Sequence, residues 1–426
     1  MLWSCRSDCR GGKGAHAAES PVKERVAKER VAKERVAKEY HAKECHAKER
    51  RSAMRLTLVI YSLTAGGAER VLSIMASAWA ERGWPVTVLT LTGPEETPFY
   101  PLHPAVRVLP LGVARPSRNP LEAVYQNLNR LRVLRRAIVE SAPDAVISLL
   151  TVTNVLTVIA TAGLHIPVIV SEHADPNLFT LNRVWTRLRN ATYPLAARVV
   201  VLTTVARDRF PEAVRRNTSI IPNPILEPPM RAGSPPFGAT STGKTIIGMG
   251  RLSEEKGFDL LLEAFSRLAP RHPAWSLVIY GEGPLRTQLE SLRDRLDLQG
   301  RVQLPGRTRE SYQRMQDADL FVMSSRQEVF PMALCEAMAC GLPVIGFDCP
   351  TGPRQILRDG VDGLLVVPPE DVGALERAME RLMADETARR QLGERAPEVI
   401  TRYGLETVMA EWNALLAALT KDRFRV

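Results

Sequence analysis

Short runs of β-branched and aliphatic residues alternate with amphipathic stretches through the chain beyond residue 54, and that alternation leaves few folds open. Strand-like runs stand at about 55–61, 86–91, 106–109, 145–150, 168–171 and 199–203, with helical patterns at about 68–82, 121–140, 153–163 and 181–196. Alternation of this kind predicts an α/β architecture, parallel sheets covered by helices on both faces, with ligands at the strand C-terminal ends. It resumes beyond residue 244 in TIIGMG, LVIY, VQLPGR, LFVMSS and PVIGFD. Between the halves, 223–241 is broken by Pro224, Pro228, Pro229, Pro235 and Pro236 with Gly and Ser between them, and reads as a linker. A chain of 426 residues has room for two such domains.

The formal charge of +10 raises the question of nucleic acid, but its placement matters more than its sum. Residues 54–226 hold 18 Arg, no Lys and 11 acids, whereas 227–426 carry a slight acidic excess. The tail 1–53 repeats a five-residue unit (VAKER, VAKEY, HAKEC) in which every unit sets an acid among its bases and no aromatic ladder appears, so no nucleic-acid partner is expected. A step of five turns a helix by about 140°, so Val26, Val31 and Val36 share no face and cannot seed a core. The tail reads as a solvated helix or a disordered segment. The N-terminus lacks the apolar run of a secretory signal, and the six cysteines show no zinc-ligand spacing, so the reducing cytoplasm is the expected location. The uncharged stretch 145–171 is long enough to span a membrane, yet its threonines, Asn154, His165 and Pro167 divide it into strand, helix and strand of a buried sheet.

The stretch 327–348, QEVFPMALCEAMACGLPVIGFD, reads as loop, helix, turn and strand. Pro331 suits a first helical position and Gly341 a left-handed cap, so the helix N-terminus faces a loop that carries Glu328, with Glu336 eight residues on. Free N–H groups, the positive helix end and a carboxylate together suit phosphate and sugar hydroxyls. This stretch resembles the signature of retaining family 4 glycosyltransferases of GT-B fold, whose usual form reads much like EGFPxxLxEAMACGxPVI. One departure is Val329, where the family commonly has Gly; if that position needs positive φ, a β-branched residue there is strained.

Other motifs carry the same resemblance. SLTAGGAER, 62–70, places a Gly-Gly turn between strand and helix; like the family's GGAER loop, it implies donor or acceptor contacts at Gly66 and Gly67. GMGRLSEEKGF resembles GRLxxxKG and implies that Arg251 and Lys256 hold a diphosphate, Arg as a fork and Lys as a point charge. YGEGPL and LPGR add Glu282, Gly306 and Arg307 as secondary donor contacts. A His after the corresponding strand resembles the family's active-site His and puts His173 near the transferred sugar, with Glu328 as the other catalytic candidate. Glu336 is implied on ribose hydroxyls, and the backbone of Phe330, Pro331, Met332 and Ala333 on the sugar. Arg183, Trp185, Arg187 and Arg189 read either as a solvated helix face or as a phosphate and headgroup contact for the acceptor. Arg354 beside a Gly-Pro turn faces substrate or only packs.

Two patterns are rejected. GATSTGKT, 238–245, matches a P-loop by letter but precedes a strand instead of opening a helix. Asp317 and Asp319 imitate a DxD metal site at a simple helix end, and the resemblance implies no metal and no cofactor.

The resemblance spans about 54–419 and implies a GT-B chain: two Rossmann-like doubly wound domains facing a cleft. The expected organisation is a tail at 1–53, an acceptor-side domain at 54–222, a linker at 223–243, a donor-binding domain at 244–400 and a last helix within 401–426 returning to the first domain. Relatives typically start near the position of Met54, so one reading makes the tail dispensable or untranslated. The implied activity is retaining hexosyl transfer from a nucleotide sugar, UDP-linked first and GDP-linked second, to a glycan or polyprenyl-diphosphate-linked acceptor at the inner face of the membrane. A nucleotide-sugar epimerase of the same fold and a silent donor-binding relative are the alternatives.

Overall fold

The computed structural model describes residues 53–114, 118–176, 182–229 and 243–421. The first domain is a seven-stranded, all-parallel sheet in the order β3-β2-β1-β4-β5-β6-β7. Its strands are β1 (Leu56–Ile60), β2 (Val86–Thr90), β3 (Arg107–Pro110), β4 (Ala145–Leu149), β5 (Val168–Glu172), β6 (Arg198–Val201) and β7 (Thr218–Ile220). The first six lie within two residues of the apolar runs; β7, a three-residue half-exposed edge strand, has no such run to announce it. The second domain is a six-stranded parallel sheet, β10-β9-β8-β11-β12-β13, built from β8 (Lys244–Met249), β9 (Trp275–Tyr280), β10 (Val302–Gly306), β11 (Leu320–Met323), β12 (Val344–Phe347) and β13 (Leu364–Val366).

Both sheets reverse their winding once, between β1 and β4 in the first and between β8 and β11 in the second. At such a point the loops leaving neighbouring strands diverge and open a crevice at the strand C-termini. The loop carrying Gly66 follows β1, and Arg251 and Lys256 follow β8.

The uncharged stretch from β4 to β5 holds the buried helix Thr151–Ala160. Its hydroxyls are satisfied internally, Thr157 donating to the Thr153 carbonyl at 2.8 Å and Thr161 to that of Thr157 at 2.7 Å. Among the described residues no helix is long and apolar enough to cross a membrane. The helix expected at 181–196 is shorter, Arg183–Thr192, because Pro194 cannot continue it and the chain tightens into a 3₁₀ turn at Tyr193–Leu195.

The helix Leu405–Thr420 follows the second sheet but packs on the first domain. Trp412 meets Trp79 edge-on, with ring centres 6.3 Å apart, and the Trp79 indole N–H donates to Asn413 at 2.8 Å. Arg82 pairs with Glu406 at 2.7 Å, and the Thr420 hydroxyl reaches Met54 Sδ at 3.7 Å. Residues 1–52, including the repeats, and 238–242 of the P-loop-like pattern lie outside the described residues.

Candidate active site

The helix of the central motif runs Met332–Ala339, so Pro331 caps it from outside instead of opening it, with φ −74° and ψ 90°. Gly341 ends it at φ +75°, its N–H donating to the Met338 carbonyl at 2.9 Å. Phe330 and Met332 are buried in the core, Phe330 edge-on to Tyr403 at 5.3 Å. Ala333 is half-buried behind them.

Glu328 sits in the loop before this helix. Its Oε1 accepts from Lys256 Nζ at 2.6 Å and from Ser325 Oγ at 2.8 Å. Lys256 ends the 3₁₀ turn Glu254–Lys256, and Gly257 follows at φ +60°. A Cβ there would lie 2.1 Å from the Ser324 carbonyl oxygen, so only glycine lets the β8 loop close onto the end of β11. That contact brings Lys256 to Glu328, while Arg251 is exposed nearby in the chain.

A second contact fixes Glu328 from behind. Thr351 donates its hydroxyl to the Glu328 carbonyl at 2.5 Å and pairs with it in an isolated parallel bridge. Thr351 adopts φ +83°, costly for a β-branched residue, whereas Val329 is not among the described positive-φ residues. The strain expected at Val329 is thus absent; its side chain is 5% exposed and belongs to the core.

Gly281 and Gly283 press on the backbone of Gly250 and Leu252, where a Cβ would come within 1.8 and 2.3 Å, so the GEGP turn packs against the β8 loop. Glu282 is held by Arg286 at 2.7 Å, and that bond lowers its pKa. Gly306, at φ +92°, lies beside Glu282, and Arg307 follows it, exposed. Arg354 is exposed and pairs with Asp348, its Nε 3.0 Å from the carboxylate. Asp319 accepts from the Thr245 N–H at 2.8 Å and pins the start of β8.

In the first domain Gly66 caps the helix Gly67–Glu81 in extended conformation, and the space beside Gly67 is open. One turn later, Arg70 reaches the second domain. Its Nε lies 2.6 Å from Glu336 Oε1, its Nη1 donates to Ser311 at 3.1 Å, and its guanidinium lies 5.4 Å from the rings of both Tyr100 and Tyr312. Glu336 is therefore buried, with Arg70 against its carboxylate. Burial pushes its carboxyl up to about 7, against the pull of Arg70.

His173 follows β5, its Nε2 3.1 Å from Ser171 Oγ. The residue keeps partial exposure, yet its surroundings desolvate the ring and push its pKa down to about 4, so it is neutral at physiological pH. Glu172 beside it is buried and accepts from Tyr193 at 2.5 Å, Thr151 at 2.7 Å and the Ala174 N–H at 3.0 Å. These bonds clamp the chain on both sides of His173. The sequence reading missed Glu172, Tyr193 and Arg70; a carboxylate inside an apolar strand was the one available signal.

The arginine group needs a correction. Arg183 and Arg187 are exposed and Trp185 is half-buried, but Arg189 is only 5% exposed, turned inward over Phe210 at 5.2 Å. Six residues past Arg183 is about 600° of helix, which puts Arg189 on the far side, unable to serve a headgroup with the other two.

Comparison with known proteins agrees with both halves. Residues 66–224 match a family model described as a glycosyl transferase 4-like domain, and residues 234–399 match one described as glycosyl transferases group 1. The chain is 37% identical over 234 residues to an exopolysaccharide phosphotransferase of Streptomyces coelicolor, spanning 54% of this chain but only 24% of that protein. It is 27% identical over 374 residues to the GalNAc-alpha-(1->4)-GalNAc-alpha-(1->3)-diNAcBac-PP-undecaprenol alpha-1,4-N-acetyl-D-galactosaminyltransferase of Campylobacter jejuni, covering 85% of this chain and 98% of that one. Among solved structures, HepE of Anabaena in complex with UDP and glucose superposes with a TM-score of 0.67 at 19% identity, over 85% of this chain and 99% of that one. Two parallel-sheet domains, each matched by its own glycosyltransferase model, place the chain among the glycosyltransferases of GT-B fold and GT4 type.

Proposed function

We propose that the protein transfers a sugar, with retention, from a nucleotide diphosphate donor to a glycan or polyprenyl-diphosphate-linked acceptor in cell-surface polysaccharide synthesis, working at the inner face of the membrane. A UDP-sugar is the first candidate donor and a GDP-sugar the second. The observation that carries this reading is the Lys256–Glu328 pair at the β8/β11 crevice. A cation, a carboxylate and the N-terminus of Met332–Ala339 converge there, which suits a diphosphate joined to a sugar. The name of the Campylobacter relative, which includes a PP-undecaprenol acceptor, supports the lipid-linked choice.

In this reading Lys256 and Arg251 stabilise the charge that grows on the diphosphate as the glycosidic bond breaks, the term expected to dominate. Glu328 orients the sugar. Neutral His173 accepts or donates a hydrogen bond at the reacting centre, and the acceptor hydroxyl attacks from the face the diphosphate leaves. No step requires a metal or a cofactor. The test is a panel of UDP- and GDP-sugars offered with membrane lipid extract, following nucleotide release and sugar transfer. Release that depends on acceptor, with one sugar, supports the reading. Conversion of the donor alone would make the protein an epimerase, and binding without turnover would make it a silent relative.

A further inference from the structure

Ser171 and His173, two apart at the end of β5, share one side of the chain, with Ser171 Oγ 3.1 Å from the imidazole Nε2. Glu172 between them turns the other way and is buried. Its two carboxyl oxygens serve different directions. Oε2 accepts from the Tyr193 hydroxyl at 2.5 Å and the Thr151 hydroxyl at 2.7 Å, which fastens it to the first residue of helix Thr151–Ala160. Oε1 accepts from the Ala174 N–H at 3.0 Å and so closes a side-chain turn across His173.

The layer beneath is bonded throughout. Asn154 Nδ2 donates to both the Tyr193 hydroxyl and the Ser171 carbonyl at 3.0 Å, and Asn154 Oδ1 accepts from Ser148 Oγ at 2.7 Å. Leu150, at φ +74°, donates its N–H to the same Ser171 carbonyl at 3.2 Å. Beyond the turn, buried Asp175 pairs with Arg209 at 2.5 Å. His173 thus sits half-buried between two acidic side chains, each tied to the body of the domain. Fastening a strand end needs no carboxyl, since hydroxyls and an amide do it next door at Ser148 and Asn154. A buried carboxyl is costlier, and what it adds is a second acceptor oxygen where an amide carries a donor. Here that second oxygen is the one spent on the turn across His173.

We propose that Glu172 is the positioning residue of His173: its side-chain turn ties the imidazole to the bonded layer between β4 and β5 and holds the ring in one place. Glu172 itself meets no substrate. Its effect on catalysis rests on the reading that His173 works beside the transferred sugar. The loss on removing the turn falls on the chemical step and spares donor binding, because Lys256 and Arg251 belong to the other domain.

The test is Glu172→Gln in the full chain. Glutamine matches the shape, but its amide presents one oxygen and one amino group, so either Ala174 or the Tyr193 and Thr151 hydroxyls meet a donor. With the nucleotide sugar that supports native turnover, the variant is expected to lower kcat roughly tenfold or more and to move the donor KM by less than about twofold. In a His173→Ala background the same substitution should cost less than about threefold. An equal cost in both backgrounds, or a raised KM with unchanged kcat, overturns the proposal, since a merely structural carboxyl acts whether or not the ring is there. A second readout needs no turnover. The ring carbon–proton resonance of His173, identified by its absence from His173→Ala, should shift or broaden in Glu172→Gln; an unchanged resonance overturns the proposal. A moved resonance in a protein that transfers no sugar would sink the transferase reading and leave the positioning role standing. Turnover with an unmoved resonance would do the reverse. Should the variant fail to fold, hydrogen exchange at the Ala174 N–H of the native protein decides. The proposal expects protection of roughly a hundredfold, and exchange at the open-chain rate overturns it.

Discussion

Arg70 Nε lies 2.6 Å from Glu336 Oε1, a buried ion pair that joins the first helix of one domain to the signature helix of the other. Removing the cation alone leaves a buried carboxylate without its counter-ion. Arg70→Met is expected to cost roughly 3–5 kcal/mol in urea denaturation, and Arg70→Met with Glu336→Gln to recover more than half of it. A single-variant cost below about 1 kcal/mol would show that the pair is solvated in the working protein.

Burial of Glu336 sets a pH dependence. The folded-state pKa of Glu336 is raised from 4.5 to about 7, so the folded protein binds this proton more tightly than the unfolded chain. Its contribution is fully present below about pH 4.5 and is lost as pH rises through 7. Melting temperature should therefore fall from pH 5 to pH 7.5 more steeply in the native protein than in Glu336→Gln. Equal slopes would contradict the shift.

His173 behaves in the opposite sense. Its pKa is lowered to about 4, so between pH 6 and 8 the ring stays neutral and turnover should show no limb belonging to it. His173→Ala should still reduce turnover by roughly 10²-fold, the scale of a positioned hydrogen-bonding group. A pH–rate limb near 6.5 that vanishes in the alanine variant would place His173 in water.

Lys256 and Arg251 are expected to matter through charge and shape respectively. Lys256→Ala should lower donor turnover by roughly 10²–10³-fold, because one cation facing the leaving diphosphate is lost. Arg251→Lys should cost less than Arg251→Ala yet not restore native turnover, since a point charge cannot replace a fork. Nucleotide release under saturating donor checks both.

The left-handed backbone in this loop falls at Thr351 and not at Val329. Val329→Gly should not raise turnover, and should destabilise by about 2–3 kcal/mol through the loss of a buried side chain. Thr351→Gly relieves a left-handed backbone worth about 1–2 kcal/mol and gives up one hydrogen bond of about 1 kcal/mol. Its melting temperature should hardly move while turnover falls, because the loop carrying Glu328 loses its tether. Thr351→Val keeps the strain and loses the bond, so both stability and turnover should drop.

The strands were legible because a buried parallel sheet favours short apolar runs rich in β-branched residues, as in LTLVI and VIVSE, recurring between helical stretches. Lys256 and Glu328 were legible only as motif letters; their 2.6 Å contact depends on Gly257 allowing two loops to touch, a requirement the letters do not display. Arg70 was read as part of GGAER and nothing more, since its partner belongs to a different domain. Arg189 shows the reverse case. Helical spacing alone separated it from Arg183 and Arg187, and grouping the three by residue type concealed this.

The helix Leu405–Thr420 closes against Trp79 and Met54, at the beginning of the fold. During synthesis every strand of the first sheet therefore leaves the ribosome well before the helix that covers Trp79 exists. Until that helix arrives, the edge of Trp79 that meets Trp412 and the indole N–H that meets Asn413 have no partner from it. The packing of the first domain is thus complete only after the second has been made.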